Sequence, residues 1–351
     1  MDKVCIVGAG SSGLTACQVL GARGVAFDCF EKGSRIGGNW RYENDNGTSS
    51  AYRSLHINSA RKLMSYKAFP MPDDYPDYPS HWQVAKYFDE YARRFGLTER
   101  IAFNTEVVSV EPVEGEWEVT VEGPDGRRSE HYRAVLVANG HHWKPRWPEP
   151  PFPGAEEYEG EQMHVHHYRE PDVLEGKRVL ILGIGNSAVD VAVESSRIAA
   201  KTFLAMRRSA YVIPKFLGGK PIDEAAPPIS TYLPMSVRRF FFNRLLKTAV
   251  GEMTDYGLQR PDHKLLEAHP TVSSELLPRI GHGDIAVKPN IERFAGGRTV
   301  RFADGSEEEV DLVIYCTGYE IAFPFLDEKV FASRDNRMPL YKRAVSVENP
   351  G

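Results

Sequence analysis

Two glycine-rich loops, each lying between a short apolar run and a helical pattern, constrain this chain more than any other feature. Lys3 to Val7 is apolar and of strand length, Gly8-Ala9-Gly10-Ser11-Ser12-Gly13 follows, and Leu14, Cys17 and Leu20 then recur at helical spacing. The arrangement returns at Arg178 to Leu182, followed by Gly183-Ile184-Gly185-Asn186-Ser187-Ala188 and a second helical pattern. Between a strand and a helix each position has a mechanical reason. The first glycine permits a tight turn, the second lets backbone approach a pyrophosphate, and the third lets helix pack on strand. The helix N-terminus then offers free N–H groups to the phosphates. Gly8, Gly10, Ser12 and Gly13, and Gly183, Gly185, Asn186 and Ser187, are therefore candidate dinucleotide-binding residues.

The strand that follows each loop says which dinucleotide. Val25 to Phe30 ends at Glu31, 18 residues after Gly13, where a carboxylate accepts from ribose hydroxyls and selects an unphosphorylated adenosine ribose. Thr202 to Met206 instead ends at Arg207 and Arg208, two guanidiniums suited to a 2′-phosphate. Gly33 to Trp40, with its paired glycines and with Gly38, Asn39 and Trp40 at its end, suits a second wrap around a large cofactor. The first site is thus expected to take FAD and the second NADPH.

The halves repeat further. Thr105 to Val110, Trp117 to Val121, a turn at Gly123 to Gly126, and Ala134 to Ala138 ending at Asn139-Gly140 form a meander in the first half. Val287 to Phe294, Thr299 to Asp304 and Asp311 to Gly318 mirror it in the second. We read an α/β chain of the three-layer sandwich type, duplicated into two Rossmann-like dinucleotide-binding domains. An FAD domain is expected over 1–168 and 319–351, and an NADPH domain over 169–318 with a helical insert over about 215–279. Trp82 to Phe95 reads as an amphipathic helix. Ser236 to Val250 reads as a basic, aromatic insert helix, packed on the second domain in preference to a membrane surface.

Composition mainly excludes. A net charge of −5 gives no reason to expect nucleic acid. Cys5, Cys17, Cys29 and Cys316 contain no C-x-x-C pair, which argues against a disulfide reductase and a zinc framework alike. No metal is assigned, although His164, His166 and His167 cluster. No signal peptide and no apolar run of membrane-spanning length is visible, so the expected location is cytoplasmic.

Between the fingerprints, Tyr158, Gly160, His164, Tyr168 and Arg169 follow the pattern aromatic-x-Gly-x-x-x-His-x-x-x-Tyr-Arg. With Gly37-Gly38-Asn39-Trp40, His56-Ile57-Asn58 and Cys316-Thr317-Gly318-Tyr319, this resembles the flavin-containing monooxygenase family over the whole chain. The resemblance implies an N,N-dimethylaniline-monooxygenase-like enzyme. In such an enzyme NADPH reduces FAD, molecular oxygen adds as a C4a-hydroperoxide, and one oxygen atom passes to a soft nitrogen or sulfur of a small amine or sulfide. It implies Asn58 as the catalytic residue and adds Lys32, His56, Val107, Thr317 and Gly318 to the cofactor-binding set. The linker histidines are expected to line an interdomain hinge beneath the nicotinamide. Tyr158 stands where the family has Phe, and Asn139 where it often has Thr. Leu340-Tyr341-Lys342-Arg343 resembles the lead-in to a further segment that closes the flavin site. Three alternatives stay open: a Baeyer–Villiger relative, an N-hydroxylating relative, and a truncated flavin-binding protein without turnover. Oligomeric state is also open, a homodimer included.

Overall fold

The computed structural model describes residues 3–225, 232–331, 333, 335–342 and 344–347. Arg343 and part of the insert lie outside the described residues. The chain forms two compact units, one of Met1–His56, Ser65–Pro145 and Tyr319–Gly351, the other of Ile57–Met64 and Arg146–Gly318.

In the first unit a parallel sheet runs in the order β3-β2-β1-β7, with β1 Val4–Val7, β2 Phe27–Phe30, β3 Ile101–Ala102 and β7 Ala134–Val137. β1 registers Val7 against both Phe30 and Val137, so the strand ends that meet the glycine loop are level. Because strand side chains alternate faces, Cys5 and Val7 point to one side. There they pack with Phe30, Val107, Val110, Val119, Val121 and Tyr132. All of these but Phe30, which ends β2, come from an antiparallel sheet of β4 Glu106–Val113, β5 Glu116–Gly123 and β6 Gly126–Tyr132. The opposite face takes helix α1, Ser11–Ala22, through buried Leu14 and Cys17. Helix, parallel sheet and antiparallel sheet make the three layers. Helix α2, His81–Arg94, starts at Ser80, whose hydroxyl accepts from Gln83 N–H while Gln83 accepts from Ser80 N–H at 2.9 Å.

The second unit repeats this order with an addition. Its parallel sheet contains β8 Glu161–His164, β9 Arg178–Leu182, β10 Lys201–Met206, β11 Ile285–Pro289 and a strand at Leu312–Tyr315. The order is β11-β10-β9, then Leu312–Tyr315, then β8 at the edge. Leu180, Leu182, Phe203, Ala205, Val313 and Tyr315 pack on a second antiparallel sheet through Ile291, Phe294, Val300, Phe302 and Val310. Helix α3, Asn186–Ile198, buries Ala188, Val189, Val191 and Ala192.

Several boundaries differ from expectation. The turn at Gly123 to Gly126 leads into β6, a strand with one buried residue, Tyr132, and therefore without apolar alternation. Val287 to Phe294 is two elements, β11 in the parallel sheet and Ile291–Phe294 in the antiparallel one. The second compact unit takes in Arg146–Gly318, with β8 paired in register with Leu312–Tyr315. The insert helix, α4 Met235–Val250, buries only Leu246, which joins Ile213, Ile222, Leu265 and Val272 in a small core of the insert. Phe240 and Phe241 on α4 are more than half exposed, at 61% and 63%. No helix of the described residues is long and apolar enough to cross a membrane.

Candidate functional site

In the first unit Gly8 has φ +97°, and its N–H donates to the Phe30 carbonyl at 2.8 Å. A Cβ there would lie 2.8 Å from the Ala138 carbonyl oxygen, and one on Gly13 would lie 1.9 Å from that of Gly8. Only hydrogen fits at either position. α1 begins at Gly10 with no side chain capping its first turn and no acidic residue within that turn. Its N–H groups and the positive end of its dipole are thus left for an outside anion.

The second glycine pair docks on this loop. Gly37, at φ +113°, donates to the Ala9 carbonyl at 3.0 Å, and a Cβ on Gly38 would lie 3.2 Å from Gly10 Cα. Glu31 is buried between the loops. Its Oε2 accepts from Ala9 N–H at 2.7 Å, and its Oε1 accepts from Gly33 N–H at 2.9 Å and Asn46 Nδ2 at 3.2 Å. A carboxylate has about four acceptor positions, so these bonds leave room for a ribose hydroxyl.

The other expected residues of this unit have mixed roles. Asn39 Oδ1 accepts from Ser50 N–H and Oγ, both at 2.8 Å, and so braces the loop itself. Trp40 closes the short turn Gly38–Trp40, donating to Gly37 at 3.1 Å. Lys32 pairs with Glu106 at 3.0 Å on the surface. His56 is exposed, with Nδ1 2.7 Å from the Ser54 carbonyl. Val107 is buried in the core, so its side chain is committed to packing. Sequence reasoning missed Asn44 and Asn46. Asn44 Nδ2 donates to the Gly38 carbonyl at 3.0 Å, and Asn46 holds Glu31. The run Asn44-Asp45-Asn46-Gly47 was the available signal, since Asn and Asp bond nearby backbone in turns.

The second unit builds the same cradle. Gly183 has φ +139°, donates to the Ala205 carbonyl at 2.8 Å, and would place a Cβ 2.6 Å from the Cys316 carbonyl oxygen. Gly185 precedes α3, whose first turn again lacks a side-chain cap and an acidic residue. Asn186 Oδ1 accepts from Val272 N–H at 2.8 Å, and Thr271 Oγ1 donates to the Ile184 carbonyl at 2.6 Å. The insert therefore clips this loop, a contact that no local pattern announced. Ser187 is half-buried in the first turn of α3. Arg207 and Arg208 are exposed at the end of β10, and Arg208 Nε lies 3.4 Å from Asp262. Thr317 Oγ1 donates to the Arg146 carbonyl, and Gly318, at φ +89°, accepts from Arg146 N–H at 3.0 Å.

The linker motif forms an edge strand and its exit. Tyr158 donates to the Val310 carbonyl at 2.8 Å, and a Cβ on Gly160 would strike the Tyr158 ring at 2.4 Å, so the glycine makes room for the aromatic. His164 Nδ1 accepts from His166 N–H at 3.1 Å. Burial pushes both imidazoles down to about 4, so they are neutral near pH 7. Tyr168 donates to Glu194 of α3 at 2.6 Å, and burial followed by that carboxylate pushes its hydroxyl pKa up. Arg169 Nη1 closes on the His166 carbonyl at 2.6 Å. Among the described residues no group of three or more His, Cys, Asp or Glu is placed to hold a metal ion.

Asn58 lies in a bend after buried Ile57, within Ile57–Met64 of the second unit. It is half-buried, and its amide makes no hydrogen bond among the described residues. The alternative role of a loop-capping amide has no bond to support it.

Two glycine cradles in tandem, each opening at an uncapped helix N-terminus, define a protein built to hold two dinucleotides. The family model described as flavin-binding monooxygenase-like matches residues 1–349. Flavin-containing monooxygenase 5 of Rattus norvegicus is 37% identical over 363 aligned positions, covering 99% of this chain and 68% of the relative. Dimethylaniline monooxygenase [N-oxide-forming] 2 of Oryctolagus cuniculus is 34% identical, covering 97% and 66%. The solved structure of S-allyl-L-cysteine S-oxygenase from Allium sativum superposes with a TM-score of 0.69 at 28% identity, covering 97% of this chain and 68% of that one. The chain belongs to the flavin-binding monooxygenase-like family and is a flavin-dependent monooxygenase.

Proposed function

We propose that the first unit holds FAD, that the second holds NADPH, and that the enzyme passes one atom of molecular oxygen to a soft nitrogen or sulfur of a small amine or sulfide. The observation that carries this reading is the contrast at the two ribose positions. Buried Glu31 suits a free 2′-hydroxyl, and exposed Arg207 with Arg208 suits a 2′-phosphate. Supporting it, no side chain stands at Gly8, Gly10 and Gly13 or at Gly183 and Gly185, which leaves backbone N–H groups open to a pyrophosphate. The names of the relatives, one forming N-oxides and one oxygenating sulfur, favour those two nucleophile classes.

Flavin, when bound by the first cradle, would supply the activation of oxygen. The chain's own residues bind, orient and exclude water. Asn58 contributes a neutral amide whose N–H donors are not engaged elsewhere. Such a donor polarises a developing oxyanion without delivering the proton that would release hydrogen peroxide.

The test is direct. The purified chain is loaded with FAD, mixed anaerobically with NADPH, and then given oxygen with a tertiary amine or a thioether. Bleaching of the flavin by NADPH, faster than by NADH, followed by N-oxide or S-oxide formation is expected. A ketone turned into an ester with no amine or sulfide product would replace this reading with the Baeyer–Villiger one. FAD retention with no NADPH oxidation would replace it with a non-catalytic flavoprotein.

A further inference from the structure

The short stretch that carries Asn58 is tied to the insert by a bond from a distant part of the sequence. Ala60 N–H donates to Asp223 Oδ2 at 2.7 Å across 163 positions, and Lys62 Nζ lies 3.1 Å from Glu224 Oε2. Ile57 and Ala60 are buried at 2% and 0% exposure, so this backbone is seated rather than loose. Ala60 also opens the helical turn Arg61–Met64, accepting from Leu63 and Met64 N–H at 2.9 and 3.1 Å.

Asp223 is itself held firmly. Its neighbour Ile222 donates to the Lys215 carbonyl at 2.9 Å and packs in the insert core with Ile213, Leu246, Leu265 and Val272. Glu224 N–H closes the same turn on the Pro221 carbonyl at 3.0 Å. A chain of contacts thus runs from the insert core through Asp223 to Ala60, two residues from Asn58. Because the Asn58 amide makes no hydrogen bond of its own among the described residues, no side-chain bond anchors it and its placement depends on the backbone that carries it.

We propose that Asp223 is a positioning residue for oxygen transfer: its carboxylate fixes the Ala60 amide and so holds Asn58 where its amide is needed. The inference rests on the assignment of Asn58 made above. A site held by a rigid support loses function when the support is loosened, even though no reacting group is removed.

The experiment compares Asp223→Leu, Asp223→Asn and Asn58→Ala in the FAD-loaded chain. Two quantities are read: amide hydrogen exchange of residues 57–64, and the fraction of oxidised NADPH that ends as hydrogen peroxide. Asp223→Leu removes the acceptor. It should raise exchange over 57–64 and raise the peroxide fraction several-fold, with FAD content and the anaerobic reduction rate unchanged. Asp223→Asn keeps an acceptor oxygen and should restore both readings toward the natural chain. Asn58→Ala should raise peroxide without raising exchange, and adding Asp223→Leu to it should raise peroxide no further, since both act through one group. If leucine is not accommodated, Asp223→Ala serves, since it removes the acceptor without adding bulk.

Natural exchange and natural peroxide in the acceptor-less variant, beside a leaky Asn58→Ala, would overturn the role of Asp223 alone. A leaky Asp223→Leu beside a fully coupled Asn58→Ala would overturn the role of Asn58. Equal defects in Asp223→Asn and Asp223→Leu would overturn the acceptor argument.

Discussion

In the first unit the carboxylate that follows β2 is buried and ties two loops together; in the second the two guanidiniums that follow β10 stand in solvent, and the loop is steadied by an insert instead. The third loop position differs in the same sense. Gly13 has no space for a methyl group, whereas Ala188 carries one and is wholly buried. The duplicated frame therefore tolerates a looser helix-to-loop contact in the second copy. The first cradle is braced from within, through Glu31, Asn44, Asn46 and Gly37. The second is braced from outside, through Thr271 and Val272. A cofactor that stays bound needs a closed, self-supporting cradle, while one that exchanges each turnover is served by a site whose charged contacts remain open to solvent.

The largest test of that contrast is Glu31→Ala. It leaves the Ala9 and Gly33 N–H groups and the Asn46 amide without their acceptor. Unsatisfied buried donors cost about 1–3 kcal/mol each, so roughly 3 kcal/mol of stability should be lost together with FAD retention. Denaturant unfolding and flavin stoichiometry measure both, and retention of full flavin content would break the comparison. Next is a paired exchange at the third loop position. Gly13→Ala forces a Cβ into the Gly8 carbonyl and should cost about 2 kcal/mol. The reverse change, Ala188→Gly, should cost about 1 kcal/mol or less through helix propensity and lost packing.

A smaller effect is expected at the second ribose position. Arg207 has no ion-pair partner among the described residues, whereas Arg208 is drawn toward Asp262. Arg207→Ala should weaken NADPH about tenfold, the worth of one charge-assisted hydrogen bond at about 1.5 kcal/mol, and leave NADH nearly unchanged. Arg208→Ala should do less, because that guanidinium already has a carboxylate to satisfy. Steady-state KM values for the two nucleotides decide it. Equal loss with both nucleotides would mean that the arginines do not read a 2′-phosphate.

How much of this could be read from the chain follows from how local each cause is. The glycine loops were legible because their reason is local: a turn, a close approach and a helix start within six residues. Glu31 was legible by spacing, but its bonds to Gly33 and Asn46 were not, since a buried carboxylate gathers whatever donors folding brings near. β6 escaped notice because its sheet is solvated on one side and its sequence is charged. The linker was legible as a pattern, but the contacts its residues make were not. Its Tyr158, His164 and Tyr168 are in fact spent on burial against β-sheet and α3. The clasp from Asp223 to Ala60 spans too much sequence for any periodicity to reveal.

Those linker imidazoles give the second unit a pH dependence that sharpens the comparison least but most cheaply. Unfolded, each titrates near 6.5; folded, burial holds His164 and His166 at about 4, and each is further opposed by neighbouring histidine charge. Between those values the unfolded chain binds more protons than the folded one. Stability is therefore fully present above about pH 6.5 and falls as pH drops toward 4. Between pH 7 and 6 the loss should be on the order of half a kcal/mol per histidine. In the first unit His81 is buried too, with its pKa lowered chiefly by burial, so acid weakens both units in the same direction. His166→Asn removes one titrating group from the linker alone. That variant should start less stable at pH 7 but lose less on going to pH 6, as read from thermal melts at the two values. An unchanged drop would mean that the linker imidazoles are already solvated in the native protein, and that the second unit is looser there than its burial implies.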